Sequence, residues 1–147
     1  MKTKEKTVER SIRLAQHFFM ESTEDKNSFH YAFLWRKNTL ISTGENQPNK
    51  PSAKAVYFAN RFNLKKQKKY PYLHAELDAI SKAWGKIHID GKFSLVSLRL
   101  SKGSGLLNAK PCKNCLHIIN SIGINKLYWS NSNGYINGKI LRRKRKL

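Results

Sequence analysis

Four residues of this sequence have the types and spacing for metal chemistry: His74, Glu76, Cys112 and Cys115. The two cysteines are the chain's only ones and fall three positions apart in "KPCKNCLHII". Residues at i and i+3 share one face of a helix, so both sulfurs can address one point. Pro111 immediately before them marks a helix opening. The helix dipole and free N–H groups at such an opening favour the thiolate that a metal requires. His74 sits at a second predicted opening, in "PYLHAELDAISKAW" after Pro71. Two openings meeting head to head would give a His-Cys-Cys set suited to Zn2+. Three protein ligands leave the fourth tetrahedral position for water, which is the pattern of a catalytic site, and such a water ionises near pH ~7. Glu76 is not needed as a ligand and is placed to carry the proton.

The competing readings use fewer of these residues. A redox C-x-x-C pair gives no role to His74 or Glu76. A structural zinc wants a fourth ligand, and the nearest candidate, His117, reads as a packed or solvated helix side chain. His17, His30 and His88 have no ligand-like spacing and read as surface or satisfied core positions.

The surrounding elements must bring the two motifs together. Apolar spacing predicts a helix over 6–20. "FHYAFLWRKNTLISTGEN" predicts a hairpin, with strands over 29–36 and 39–44 and a turn at Lys37 and Asn38. A short helix is predicted from Pro51, then a basic loop containing Lys65, Lys66, Lys68 and Lys69. The His74 helix follows, anchored by Leu77, Ile80 and Trp84. "KFSLVSLRL" is a strand with Phe93, Leu95, Ser97 and Arg99 on one side. "SKGSGLLNAK" is a loop leading to Pro111, and Gly123 closes the cysteine helix. "INKLYWS" and "YINGKIL" are strands joined by the turn "NSNG". The order predicts an α/β domain: a mixed five-stranded sheet with helices on both faces, over residues 1–141. The basic run at 142–147 is a tail.

Composition bounds the partners. The 147 residues carry 29 Lys and Arg against 9 Asp and Glu, a formal charge of +20. Such a field attracts phosphate, so nucleotide or single-stranded nucleic-acid contact is expected. An elevated Lys content can also follow from a biased codon pool. No apolar run reaches membrane-span length, and the first residues lack a signal-peptide core. Two closely spaced cysteines do not make a secreted disulfide scaffold. The expected address is a reducing, cytoplasmic compartment, or host cytoplasm if the chain is phage-encoded.

The pairing of His74-Ala75-Glu76 with Pro111-Cys112-Lys113-Asn114-Cys115 matches the H-x-E and P-C-x-x-C signature of zinc deaminases. Over roughly residues 29–136 the chain resembles the cytidine/deoxycytidylate deaminase superfamily, with "HAELDAI" and "KPCKNC" similar to the small phage and bacterial members. The resemblance implies a three-layer α/β/α fold and hydrolytic conversion of cytosine to uracil in a nucleoside or nucleotide. It also implies that Asn46 meets the sugar hydroxyl and that the backbone N–H of Ala75 meets the base carbonyl. Phe33, Tyr128 and Trp129 are aromatic candidates for the pocket wall, and the sequence does not choose among them. Lys68 and Lys69, just before His74, are candidates for phosphate. Members of this size imply a homo-oligomer. Two features depart from the common pattern. The ten-residue "SKGSGLLNAK" loop can cover or gate the pocket, and an antiparallel last strand resembles the cytidine-deaminase branch. Two further readings stand: action on cytosine, in preference to adenine, within single-stranded DNA or RNA, and a zinc-stabilised nucleic-acid-binding module without catalysis.

Overall fold

The computed structural model describes residues 5–23, 28–51, 53–62, 72–87, 91–102 and 105–141. The basic loop with Lys65, Lys66, Lys68 and Lys69, His88, and the tail at 142–147 lie outside the described residues. In chain order the elements are α1 (Lys6–Glu21), β1 (Ser28–Arg36), β2 (Thr39–Glu45), β3 (Gln47–Pro51), α2 (Ala53–Arg61), β4 (Tyr72–Leu73), α3 (Ala75–Lys82), β5 (Phe93–Ser101), β6 (Gly105–Leu107), α4 (Lys113–Ser121), β7 (Lys126–Ser130) and β8 (Ile136–Ile140).

The sheet runs β2-β1-β5-β7-β8, with β6 also paired to β5. It is mixed: β5 and β7 are parallel, and the other pairs are antiparallel. The predicted terminal hairpin is present as β7–β8. The β1–β2 hairpin turns at Lys37, whose φ of 52° is left-handed. Its amide is held by the Lys92 carbonyl at 2.9 Å.

β1 is buried along nearly its whole length because both its faces are covered. Phe29, Tyr31, Phe33 and Trp35 pack with Val8 and Ala15 of α1. Ala32 and Leu34 pack on the opposite face with Ala55, Phe58, Leu77, Ile80, Ile118 and Ile119 of α2, α3 and α4. The architecture is therefore α/β/α, one helix against three among the described residues. Trp35 seats α1 by donating its Nε1–H to Ser11 Oγ at 2.8 Å, while the Arg10 guanidinium lies 4.6 Å from its ring centre. The aromatic stripe of α1 is core: Phe18 stacks on Phe33, and Phe19 meets Phe29 edge-on.

Three expectations are corrected. Pro51 ends strand β3 rather than opening a helix, and α2 begins at Ala53. The loop before the cysteines is partly strand: Leu106 and Leu107 pair with Leu100 and Arg99, which gives the sheet a sixth strand. Trp84 lies beyond the end of α3, 38% exposed, edge-on to Phe58, so Leu77 and Ile80 do the anchoring.

Candidate metal and proton-transfer site

The site forms where α3 and α4 open toward each other at one edge of β5. His74 is the N-cap of α3, with extended φ and ψ of −77° and 156°, and its ring makes no capping bond. That leaves the ring free to turn to the cysteines. Cys112 is the N-cap of α4, and its sulfur accepts the Cys115 backbone N–H at 3.5 Å. Pro111 fits just outside this opening, where a proline's missing N–H leaves no helix bond unmade.

His74 Nδ1 lies 3.6 Å from Cys112 Sγ and 3.3 Å from Cys115 Sγ. All three donor atoms fall within 4.8 Å of one another. Two ligands of one tetrahedral zinc, at about 2.1 Å for nitrogen and 2.3 Å for sulfur, stand about 3.6 Å apart. The donor chemistry and the spacing both fit zinc. The cluster runs from exposed Cys112 through half-buried His74 to Cys115, which is 1% exposed.

The two thiols differ sharply. Hydrogen bonding from the Cys115 thiol, aided by His74, brings Cys112 down to about 4 against opposing burial. Cys115 is pushed well above the usual thiol range, first because it donates to Cys112 and then because it is buried beside Glu76. The bond between His74 and Cys112 likewise raises the His74 imidazole.

Glu76 is 1% exposed. Burial alone would raise its carboxyl, but the adjacent His30, together with hydrogen bonds from its own backbone and from Ser97, outweighs that and holds it at about 2. His30 Nε2 stands 2.9 Å from Glu76 Oε1, and Ser97 Oγ donates to the same oxygen at 2.9 Å. A buried, ionised carboxylate thus sits beside the metal-ligand cluster. From the sequence, His30 reads as a surface or satisfied core position, apart from the site. Its partner lies 46 positions away, with strands β2, β3 and β4 and helix α2 between them. One signal was legible: His30 shares a strand face with Ala32, the small-residue side that a helix can approach closely.

The remaining candidates separate by strand face. Ala75 is fully buried at the start of α3. Asn46 is half-buried at the end of β2, where its Oδ1 accepts the His30 N–H and its own N–H donates to the His30 carbonyl, each at 3.3 Å. Trp129 packs on the site-bearing face, with Lys110 Nζ 5.9 Å from its ring centre. Phe33 and Tyr128 are corrected: both point to the α1 face, because strand alternation sends them opposite to Leu34 and Trp129. They cannot line this site. Lys68 and Lys69 lie outside the described residues. His117 stays apart, edge-on to Phe62. Arg99 was read as a sheet residue only. It shares the β5 face of Ser97, pairs across the ladder with His30, and has a buried Nε without a hydrogen-bond partner among the described residues.

Comparison with known proteins agrees with this geometry. The family described as "Cytidine and deoxycytidylate deaminase zinc-binding region" matches residues 1–131. The structure is similar to that of a cytidine deaminase from Burkholderia pseudomallei, with 15% identity, a TM-score of 0.55, and coverage of 90% of this chain and 91% of that one. It is also similar to an apo dCMP deaminase from the cyanophage S-TIM5, with 18% identity, a TM-score of 0.51, and coverage of 88% and 86%. At these identities the likeness is one of fold. No curated protein sequence matches the chain.

Proposed function

The chain belongs to the cytidine and deoxycytidylate deaminase zinc-binding family, and from that premise we propose that it hydrolyses the amino group of cytosine in a nucleoside or nucleotide, giving uracil and ammonia. The observation that carries this reading is Glu76: an ionised carboxylate, 1% exposed, beside a His-Cys-Cys set that does not need it as a ligand. His74, Cys112 and Cys115 would hold zinc. When bound there, zinc supplies the Lewis acidity that brings the ionisation of a water to about pH 7.

The chain's own residues account for the rest. Glu76 takes up the proton that a water gives up, passes it to the ring nitrogen of the base, and then serves the departing amine. Burial shields that carboxylate from bulk water, so a proton it holds is delivered to the substrate rather than lost. Asn46, at the strand end beside His30, is the proposed sugar contact, and Ala75 offers its backbone N–H to the base carbonyl. Trp129, on the same face of the sheet, is the proposed aromatic wall.

Two observations favour a phosphorylated substrate over a bare nucleoside. Arg99 presents a guanidinium whose desolvated Nε, on the site-bearing face of β5, has no partner among the described residues. Lys110 stands next to the cysteine motif, over Trp129. A desolvated guanidinium nitrogen without an acceptor is costly, and a phosphate would satisfy it. A cytosine within a single strand would present the same group, and the +20 charge supports that second reading.

Zinc-loaded protein is to be incubated with cytidine, CMP, dCMP and a cytosine-containing oligonucleotide, following uracil release. Uracil from at least one is expected, with the phosphorylated compounds ahead of cytidine. Glu76→Gln should lower kcat by about 10²–10⁴-fold while the protein keeps its zinc. Undiminished turnover in that variant would remove Glu76 from the chemistry.

A further inference from the structure

Glu76 is gripped from the sheet, by two buried residues outside the H-x-E and C-x-x-C motifs. His30 is 7% exposed and Ser97 fully buried. Strand pairing explains how they meet. His30 on β1 stands opposite Arg99, so Ser97, two residues before Arg99 on β5, is its diagonal neighbour on the same face. His30 Nε2 and Ser97 Oγ are 2.6 Å apart. Each also reaches Glu76 Oε1, at 2.9 Å. Ser97 Oγ is further bonded to the Ala109 carbonyl at 3.0 Å, two residues before the Pro-Cys motif.

Counting protons assigns the roles. An ionised carboxylate only accepts, so the His30 nitrogen that faces it must carry hydrogen. That single Nε2 hydrogen is shared between Glu76 Oε1 and Ser97 Oγ, and the one Ser97 hydrogen is shared between Glu76 Oε1 and the Ala109 carbonyl. Both grips fall on Oε1. The Cys115 thiol approaches the same carboxylate from the ligand cluster. A carboxylate bound only for burial would be satisfied by any donors. Here both contacts from the sheet fall on Oε1, and one of them, Ser97, is also bonded to the segment that leads into the cysteines.

We propose that His30 and Ser97 are positioning residues for proton transfer: they pin Oε1 so that Oε2 is the oxygen that takes and delivers the proton. Ser97 also ties the proton carrier to the segment that leads into Cys112. The inference rests on the deaminase reading of the site and goes beyond it by naming residues that neither motif contains.

The test uses full-length, zinc-loaded protein and His30→Phe, His30→Gln, Ser97→Ala and Ser97→Thr. Zinc content and melting temperature are measured beside kcat and KM on the best phosphorylated cytosine substrate. His30→Phe and Ser97→Ala should each lose about 10–100-fold in kcat, the scale of a misplaced catalytic group, with KM little changed and one zinc per chain retained. His30→Gln and Ser97→Thr keep a donor and a hydroxyl, and should recover much of the loss. A kcat within about twofold of wild type in both His30→Phe and Ser97→Ala overturns the proposal, as does a loss that appears equally in KM or in zinc content. A second measurement does not need turnover. In 15N-histidine-labelled protein, the His30 Nε2–H signal should shift on Glu76→Gln, and an unmoved signal overturns the proposal even if His30→Phe fails to fold. Wild-type protein that releases no uracil from any substrate would instead overturn the deaminase reading, leaving the His30–Glu76 contact to be judged on the labelled-histidine signal alone.

Discussion

The two cysteines show how unequal two identical side chains become when one caps a helix and the other is buried behind it. The Cys115 thiol and His74 bring Cys112 down to about 4, whereas its bond to Cys112 and its burial push Cys115 well above the usual thiol range, and the bond to Cys112 raises His74. Zinc needs both sulfurs deprotonated and His74 Nδ1 free. Binding at neutral pH must therefore expel the Cys115 proton, and at lower pH the His74 proton as well. The sign follows directly: apparent zinc affinity rises with pH, by about tenfold per unit for each proton released. Competition with a chelating dye between pH 6 and 8, together with proton release in weakly buffered solution, measures it. An affinity flat across that range would show that the thiol protons are not partitioned this way.

At this scale the sequence was legible where chemistry is local. His74, Glu76, Cys112 and Cys115 are named by two short motifs, and the fold brings them to one place. His30, Ser97 and Arg99 were not legible as site residues, because their relation to Glu76 and His74 exists only through cross-strand pairing. Phe33 misled for the opposite reason. Aromatic type suggested a pocket wall, but which face an aromatic occupies depends on the phase of the strand, and α1 claims the odd-numbered side chains of β1.

At the scale of elements, α3 aims His74 and Glu76, and one glycine lets it lie close enough. A Cβ on Gly44 of β2 would overlap the Ala75 carbonyl and the Ala79 backbone nitrogen. Both are main-chain atoms of α3 and cannot rotate aside. The same contact is sewn by Ser42 Oγ donating to the Ala79 carbonyl at 2.6 Å and by the Glu45 N–H donating to Asp78 at 3.0 Å. Gly44→Ala should therefore push the helix off the sheet at its first turn. We expect a stability loss of about 1–3 kcal/mol by urea titration and a lower kcat than global stability would explain. An unchanged denaturation midpoint would show that the helix tolerates the added methyl. The hairpin, the two motif helices and the last antiparallel pair are all visible in apolar spacing and turn residues. β6 is not, because a three-residue strand that begins with Gly105 has no periodicity to read and exists only by pairing with β5.

Over the whole molecule, charge is the dominant feature. Of the nine acidic residues, Glu76 and Asp78 are buried in α3, so the surface is more one-sided than the composition states. Any oligonucleotide bound to it should release counterions, steepening the log–log salt dependence by about 0.7 for each phosphate neutralised. Filter binding or fluorescence anisotropy between 50 and 200 mM salt would check this, and a flat response would rule out a backbone-tracking mode. Among the described residues no helix is long and apolar enough to cross a membrane.

The position of β5 between β1 and β7 also bears on the order of events during folding. His74 and Cys115 are 41 positions apart. Closing a loop of that length in a flexible chain costs about 3 kcal/mol of entropy. The strand pairings on either side of β5 close it, so the fold is expected to bring His74, Cys112 and Cys115 together before a metal binds. Metal uptake should then follow chain collapse as a separate kinetic phase, and the metal-free chain should keep its sheet. In this respect the centre is unlike a zinc finger, where the ion itself is the folding nucleus.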